Sequence, residues 1–247
     1  MEQQIIATFN AHKRRYGVRR IVAELSHQNI CVSPYRVRKY LAVNGLKAIQ
    51  PRSFVPKTTN SRHPYPISPN HLKQMPFPEA INQVWVGDIT YIPMVAGNFR
   101  FLSVWMDLCS RKIVGWDLQD HMPESLVSAS LNKALKVRKV SAGLMIHSDR
   151  GGQYAGKKFR QILDGRTIVQ SMSDKDNPYD NAYMESFFSR FKAELLEKGA
   201  FHNAEDSRRQ IFEYIEMYYN PLRLHSSVGY LSPDKFEKQI ALKCNKN

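Results

Sequence analysis

Three carboxylates and one ammonium are spaced along this chain as they would be to hold divalent cations against a phosphodiester. Asp88 lies inside QVWVGDITYIPM, Asp149 follows the apolar run of GLMIHSDRGGQY, and Glu185 and Lys192 lie on AYMESFFSRFKAELLEK. Hard cations take oxygen ligands, and two of them bridged by carboxylates activate an attacking oxygen and stabilise a leaving one. Asp88 is the most informative, because an ionised acid flanked by Trp85, Val86, Ile89 and Tyr91 is costly to bury without a partner. Thirty-five residues lie between Asp149 and Glu185. Lys192 stands seven residues beyond Glu185, about two helical turns, so a carboxylate for metal and an ammonium for phosphate line one side of a helix. Each residue also has an ordinary reading: Asp149 as a turn or helix cap, Glu185 and Lys192 as a solvated helical face.

Those side chains need elements to position them. QVWVGDITYIPM alternates as a strand, with Trp85, Gly87, Ile89 and Tyr91 on one face and Val84, Val86, Asp88 and Thr90 on the other. NFRFLSVWMDL and KIVGWDL supply two more strands, and Cys109, Ser110 and Arg111 suit the tight connection of an antiparallel meander. A helix opened by Pro123 follows, then GLMIHS as a fourth strand, with Asp149 at its carboxyl end where open α/β sheets place their chemistry. Gly151 and Gly152 permit a tight turn there. KKFRQILDG is a helix, RTIVQSM a fifth strand, and the long helix after it buries Met184, Phe187, Phe188, Phe191 and Leu195. In the loop before that helix Asp180 is a candidate cap, and Asn177, Tyr179 and Asn181 are candidate DNA contacts. In YYNPLRLHSSVGY, Asn220 and Pro221 stop a helix, while Arg223 and His225 either cover the core or touch DNA.

With 43% hydrophobic residues in 247, the composition is that of a globular protein with one main domain and a smaller appendage. No apolar run approaches the roughly 20 residues of a membrane span, and the first residues lack a signal-peptide pattern, so a cytoplasmic protein without a membrane partner is expected. Cys31, Cys109 and Cys244 are too scattered for a disulfide framework or a zinc site. A formal charge of +14 points to a polyanion, nucleic acid before membrane. Residues 1–48 form a basic helical module. RIVAEL is helical, Ser33 and Pro34 open a second helix, Val37, Tyr40 and Leu41 turn inward, Arg36, Arg38 and Lys39 face solvent, and Gly45 ends it. The pattern fits a helix-turn-helix or a plain basic hairpin. Residues 49–80 are a Pro- and Ser-rich linker, 81–238 the main domain and 239–247 a tail.

Three strands, helix, strand, helix, strand, helix is the order of the ribonuclease-H-like fold, so the expected class is α/β, a mixed five-stranded sheet with helices behind a small helix-turn-helix module. WVGDITYI, IHSDRGGQY, NPYDNAYMESFFSRFK and YYNPLRLHSSVGYLSPDKFE resemble the integrase core of insertion-sequence transposases of the IS-three family, second open-reading-frame product, which is itself similar to that of retroviral integrases. RRYGVRRIVAEL and VSPYRVRKYL resemble the helix-turn-helix preceding that core, whereas the paired histidines and cysteines of the retroviral zinc-binding domain have no counterpart. The resemblance runs from about Tyr16 to Phe236. It implies Asp88, Asp149 and Glu185 as catalytic residues and ligands of two Mg²⁺ or Mn²⁺ ions, and Lys192 as a DNA contact. It further implies cleavage and strand transfer at element ends, a homo-oligomer in the synaptic complex with element and target DNA, an upstream-frame product as fusion partner, and a nucleoid-associated location in a bacterial cell. Two other readings are a nuclease on the same fold and a DNA-binding regulator derived from a transposase.

Overall fold

The computed structural model describes residues 1–51, 63–175, 181–197 and 199–244. Strands β1 (Val84–Pro93), β2 (Phe99–Asp107) and β3 (Ile113–Gln119) form an antiparallel meander; β4 (Met145–Ser148) pairs parallel with β1, and β5 (Val169–Met172) parallel with β4. The order β3-β2-β1-β4-β5 puts β1 at the centre. The β2–β3 connection is made by Asp107, whose Oδ1 accepts from the Ser110 amide at 3.0 Å, and by Arg111 in the left-handed region at φ 64°.

Strict alternation along β1 gives the sheet its two covered faces. Val84, Val86 and Ile92 pack with Met184, Phe187, Phe188 and Phe191 of α7 (Ala182–Leu195), and with α8 (Ala204–Phe212) and the π-helical run Glu213–Tyr219 that continues it. Trp85 packs oppositely, with Trp105, with Val127 and Leu131 of α4 (Glu124–Val137), with Tyr154 of the short α5 (Gly152–Ala155) and with Phe159 of α6 (Lys157–Asp164). Gly87 is required on that second face, since a β-carbon there would strike the Trp105 ring.

The front module has three helices, one more than expected: α1 (Glu2–Ala11), α2 (Val18–His27) and α3 (Pro34–Val43). Ile5, Thr8 and Phe9 carried the helical spacing that marks α1. Ser33 caps α3 through the Arg36 amide at 3.3 Å, and Gly45 follows it at φ 63°. Val37 and Leu41 are buried, Tyr40 is half-buried, and Arg36, Arg38 and Lys39 are exposed. The α1–α3 core is completed by Leu224, some two hundred residues downstream.

Two expectations about the connecting segments change. The linker's later part is docked on the β5 edge rather than free, because Ser171 Oγ accepts from the His71 and Leu72 amides at 3.0 and 3.2 Å, and Ser68 Oγ donates to Gln170 at 2.9 Å. Residues 239–244, expected as tail, continue helix α9 (Pro233–Cys244), anchored by Glu237 on Arg138 at 2.7 Å and on Ser110 Oγ at 2.8 Å. Among the described residues no helix is long and apolar enough to cross a membrane.

Gly87→Val should destabilise the fold by about 1–3 kcal/mol through overpacking against Trp105. A thermal melt checks this; an unchanged midpoint would show that the indole can move aside.

Candidate active site

Register brings the first two acids together. Val86 of β1 pairs with His147 of β4, and Asp88 and Asp149 each follow that pair by two residues along neighbouring parallel chains. Asp149 lies just past the end of β4, where its Oδ1 accepts from the Gly151 amide at 3.0 Å. The turn after it is held from outside: His63 Nε2 bonds to the Arg150 carbonyl oxygen at 2.8 Å, and Arg150 Nε donates to the Ser173 carbonyl at 2.6 Å. Asp88 Oδ1 accepts from the Ile89 amide at 2.7 Å. Burial pushes the Asp88 carboxyl well above its usual range, the charge of Asp149 pushes it further, and Glu185 adds to the shift, while the Ile89 hydrogen bond and the Lys192 ammonium oppose it. That pattern disfavours the ionised form of Asp88 in the protein alone.

Asp88 shares its parity with Val84 and Val86, the face that α7 covers. On α7, Glu185 is exposed and Lys192 half-buried. Burial lowers the Lys192 pKa, and the nearby Asp88 charge partly restores it. Thus Asp149, Glu185 and Lys192 each act electrostatically on Asp88. Among the described residues no group of three His, Cys, Asp or Glu side chains is arranged to hold a metal ion. Like charges repel, and Glu185, on an exposed helical face, has the room to stand off.

The remaining candidates separate. Asn177, Tyr179 and Asp180 lie outside the described residues. Asn181 is the N-cap of α7, makes no side-chain cap bond and is 8% exposed, so the structure places it under the surface rather than on a DNA-facing one. Arg223 covers the core: at 2% exposure it forks onto Glu194 of α7 through Nε at 3.0 Å and through Nη2, and Tyr214 donates to the same carboxylate at 2.9 Å. His225 is half-buried, its Nδ1 in contact with Ser227 Oγ at 2.8 Å. Sequence reasoning missed Glu194, although the signal was available: it falls three residues after Phe191 and seven after Phe187, on the buried stripe. It also missed Arg111, whose guanidinium lies 4.4 Å from the centre of the Tyr183 ring, two residues from Glu185.

Residues 78–178 and 166–233 match the family described as Integrase core domain, and residues 1–54 match the HTH-like domain. The transposase for insertion sequence element IS904 of Lactococcus lactis is 39% identical over 238 residues, 96% of this chain and 93% of that protein. Transposase InsF for insertion sequence IS3A of Escherichia coli is 37% identical over 235 residues, 95% of this chain and 81% of that protein. A chain from the simian T-cell lymphotropic virus intasome in complex with PP2A regulatory subunit B56 gamma shares the fold with a TM-score of 0.51 and 18% identity, over 83% of this chain and 66% of that one. Fold and family matches together define an integrase-type polynucleotidyl transferase core behind an HTH-like domain. Within that class, the chain belongs to the insertion-sequence transposases.

The Asp88 shift has a sign that can be measured. A carboxyl whose folded pKa is raised contributes stability that is complete below the ordinary value of 3.8 and is lost as pH climbs through the raised one. Asp88→Asn, neutral at every pH, should therefore be more stable than the wild type in chelator at neutral pH. The gap should grow by at most roughly 1.4 kcal/mol per pH unit within the window and close in acid. Melting temperatures across a pH series check it, and a gap independent of pH would mean that Asp88 ionises freely.

Proposed function

We propose that this transposase cuts and joins DNA at the ends of its element with Asp88, Asp149 and Glu185 as the catalytic carboxylates. The observation that carries the reading is Asp88: a half-buried acid on the central strand, two residues past the Val86–His147 pair just as Asp149 is, and within the electrostatic reach of Asp149, Glu185 and Lys192. A purely structural role leaves that arrangement unexplained, and a DNA-binding regulator would have no use for it.

The donor set fits a divalent cation, Mg²⁺ or Mn²⁺, because the ligands are hard carboxylate oxygens with no thiolate or imidazole among them. Asp88, Asp149 and Glu185 would hold the metal, two ions in this reading. Bound there, the metal supplies Lewis-acid activation of the attacking oxygen and charge stabilisation of the leaving one. The Lys192 ammonium, lying within the field of Asp88, holds a DNA phosphate beside the acids. The nucleophile is water for end cleavage and a DNA 3′-hydroxyl for joining, so no side chain needs to form a covalent intermediate. A nuclease on this fold would use water alone; acceptance of a 3′-hydroxyl end separates the two.

The partners in this reading are the element ends, the target DNA and further copies of the chain, with an upstream-frame product as a fusion partner, acting at the nucleoid. Arg36, Arg38 and Lys39, exposed together on α3, supply the module's grip on the phosphate backbone.

Asp149→Asn and Glu185→Gln should each reduce cleavage and joining of labelled ends by at least about a thousandfold, in line with the loss of a metal-held charge, while affinity for the same DNA stays within a few-fold. Affinity falling in step with activity would show that these acids support folding or binding instead. Chelator should abolish both reactions, and Mg²⁺ or Mn²⁺ restore them; turnover in excess chelator would end the metal account.

DNA binding should weaken steeply with salt, each neutralised phosphate contributing roughly −0.9 to the log–log slope. Replacing Arg36, Arg38 and Lys39 together by Ala should flatten that slope by roughly two to three units, read by titrating affinity against salt. An unchanged slope would remove α3 from the DNA interface.

A further inference from the structure

The segment Asn220–Tyr230 belongs neither to the sheet nor to the three-helix module, yet it holds both. Toward the core, buried Arg223 forks onto Glu194 near the end of α7, while Arg111, stacked on Tyr183 at the start of α7, donates to Ser227 Oγ at 3.2 Å. The helix that carries Glu185 and Lys192 is thereby braced at both ends by this one strap. Toward the module, the Leu224 side chain completes the core of α1–α3. The fully buried Tyr16 hydroxyl accepts from the Leu224 amide at 2.8 Å and donates to the Leu222 carbonyl at 3.3 Å, and Arg20 Nε donates to the Leu224 carbonyl at 2.8 Å. Arg15 lies 4.5 Å from the centre of the Tyr218 ring on the adjoining π-helical run.

We infer that Tyr16 and Arg223 are positioning residues for strand cleavage: through the strap they tie the DNA-binding module to α7, so that DNA gripped on α3 presents one particular phosphate to the acids. The inference rests on the proposed function for its DNA readout, but the tie itself is a property of the protein alone. The physical basis is the absence of slack. A buried tyrosine hydroxyl that both donates and accepts fixes the strap's backbone in two directions, and a two-pronged guanidinium–carboxylate pair fixes its orientation on α7. A module on a free tether would sample many positions, and the site of cutting would spread accordingly.

The test compares the full-length wild type with Tyr16→Phe, which keeps the ring and its packing but deletes both hydroxyl bonds, and with Arg223→Lys, which keeps the charge but loses the fork. Arg20→Met, which keeps the aliphatic length but removes the donor to the Leu224 carbonyl, repeats the measurement should Tyr16→Phe fail to fold. Two readouts are taken: hydrogen exchange of the Leu224 amide without DNA, and a nucleotide-resolution map of cuts on a labelled element end with Mg²⁺. Exchange at Leu224 should quicken at least about tenfold in Tyr16→Phe. Cuts confined to one phosphate by the wild type should spread over neighbouring phosphates in both variants, with the single-turnover rate down about tenfold and affinity within about twofold. Faster exchange together with a single cut at the wild-type rate overturns the positioning role, and unchanged exchange overturns the tie. If the wild type cuts no DNA, the functional reading fails on its own, and exchange at Leu224 still decides whether the tie exists.

Discussion

Everything at the candidate site follows from holding one ionisable carboxyl in the central strand of the sheet beside another at the end of its parallel neighbour. Asp88 and Asp149 each follow the β1–β4 ladder by two residues, so the pairing of Val86 with His147 leads both chains toward the same edge of the site. The charge of Asp149 therefore works against ionisation of Asp88. In the proposed reading a multivalent cation turns that repulsion into attraction.

The third acid is handled differently. Glu185 comes from a helix laid across the sheet, and its placement depends on how that helix is anchored. The anchor is aromatic on the buried side, through Phe187, Phe188 and Phe191, and ionic near the far end, through Glu194 and Arg223. Losing one member of a buried pair typically costs about 3–5 kcal/mol, because the other is left charged without a partner. The pair is thus a strong constraint on geometry even if its net contribution to stability is small. The site combines two acids placed by the sheet with a third carried on a helix packed across it.

The basic module shows the same economy of construction. Three ten-residue helices bury little apolar surface by themselves, and a unit of that size is marginal. Borrowing Leu224, Tyr218 and Tyr230 from the C-terminal half enlarges its core and joins it to the catalytic half. Its exposed face is left to Arg36, Arg38 and Lys39.

Much of this was legible in the sequence because it depends on local periodicity. The alternation around Asp88, the apolar run before Asp149, the stripe on α7 and the Ser33–Pro34 start of α3 each reflect a backbone geometry that neighbouring residues impose. The order of the five strands and of the helices between them, apart from the short α5, could be written down from those patterns together with the candidate acids, though α1 was missed, and the resemblance to a transposase core followed from the motifs. What depends on contacts between distant residues could not. The pairing of Glu194 with Arg223, the docking of the linker on Ser171, the continuation of α9 past residue 238 and the burial of Asn181 turn on which surfaces meet, and the local pattern is silent about its partners. The seam at Tyr16 and Leu224 is the extreme case: its halves are 208 residues apart, and only tertiary packing could place one hydroxyl between two strap backbone groups.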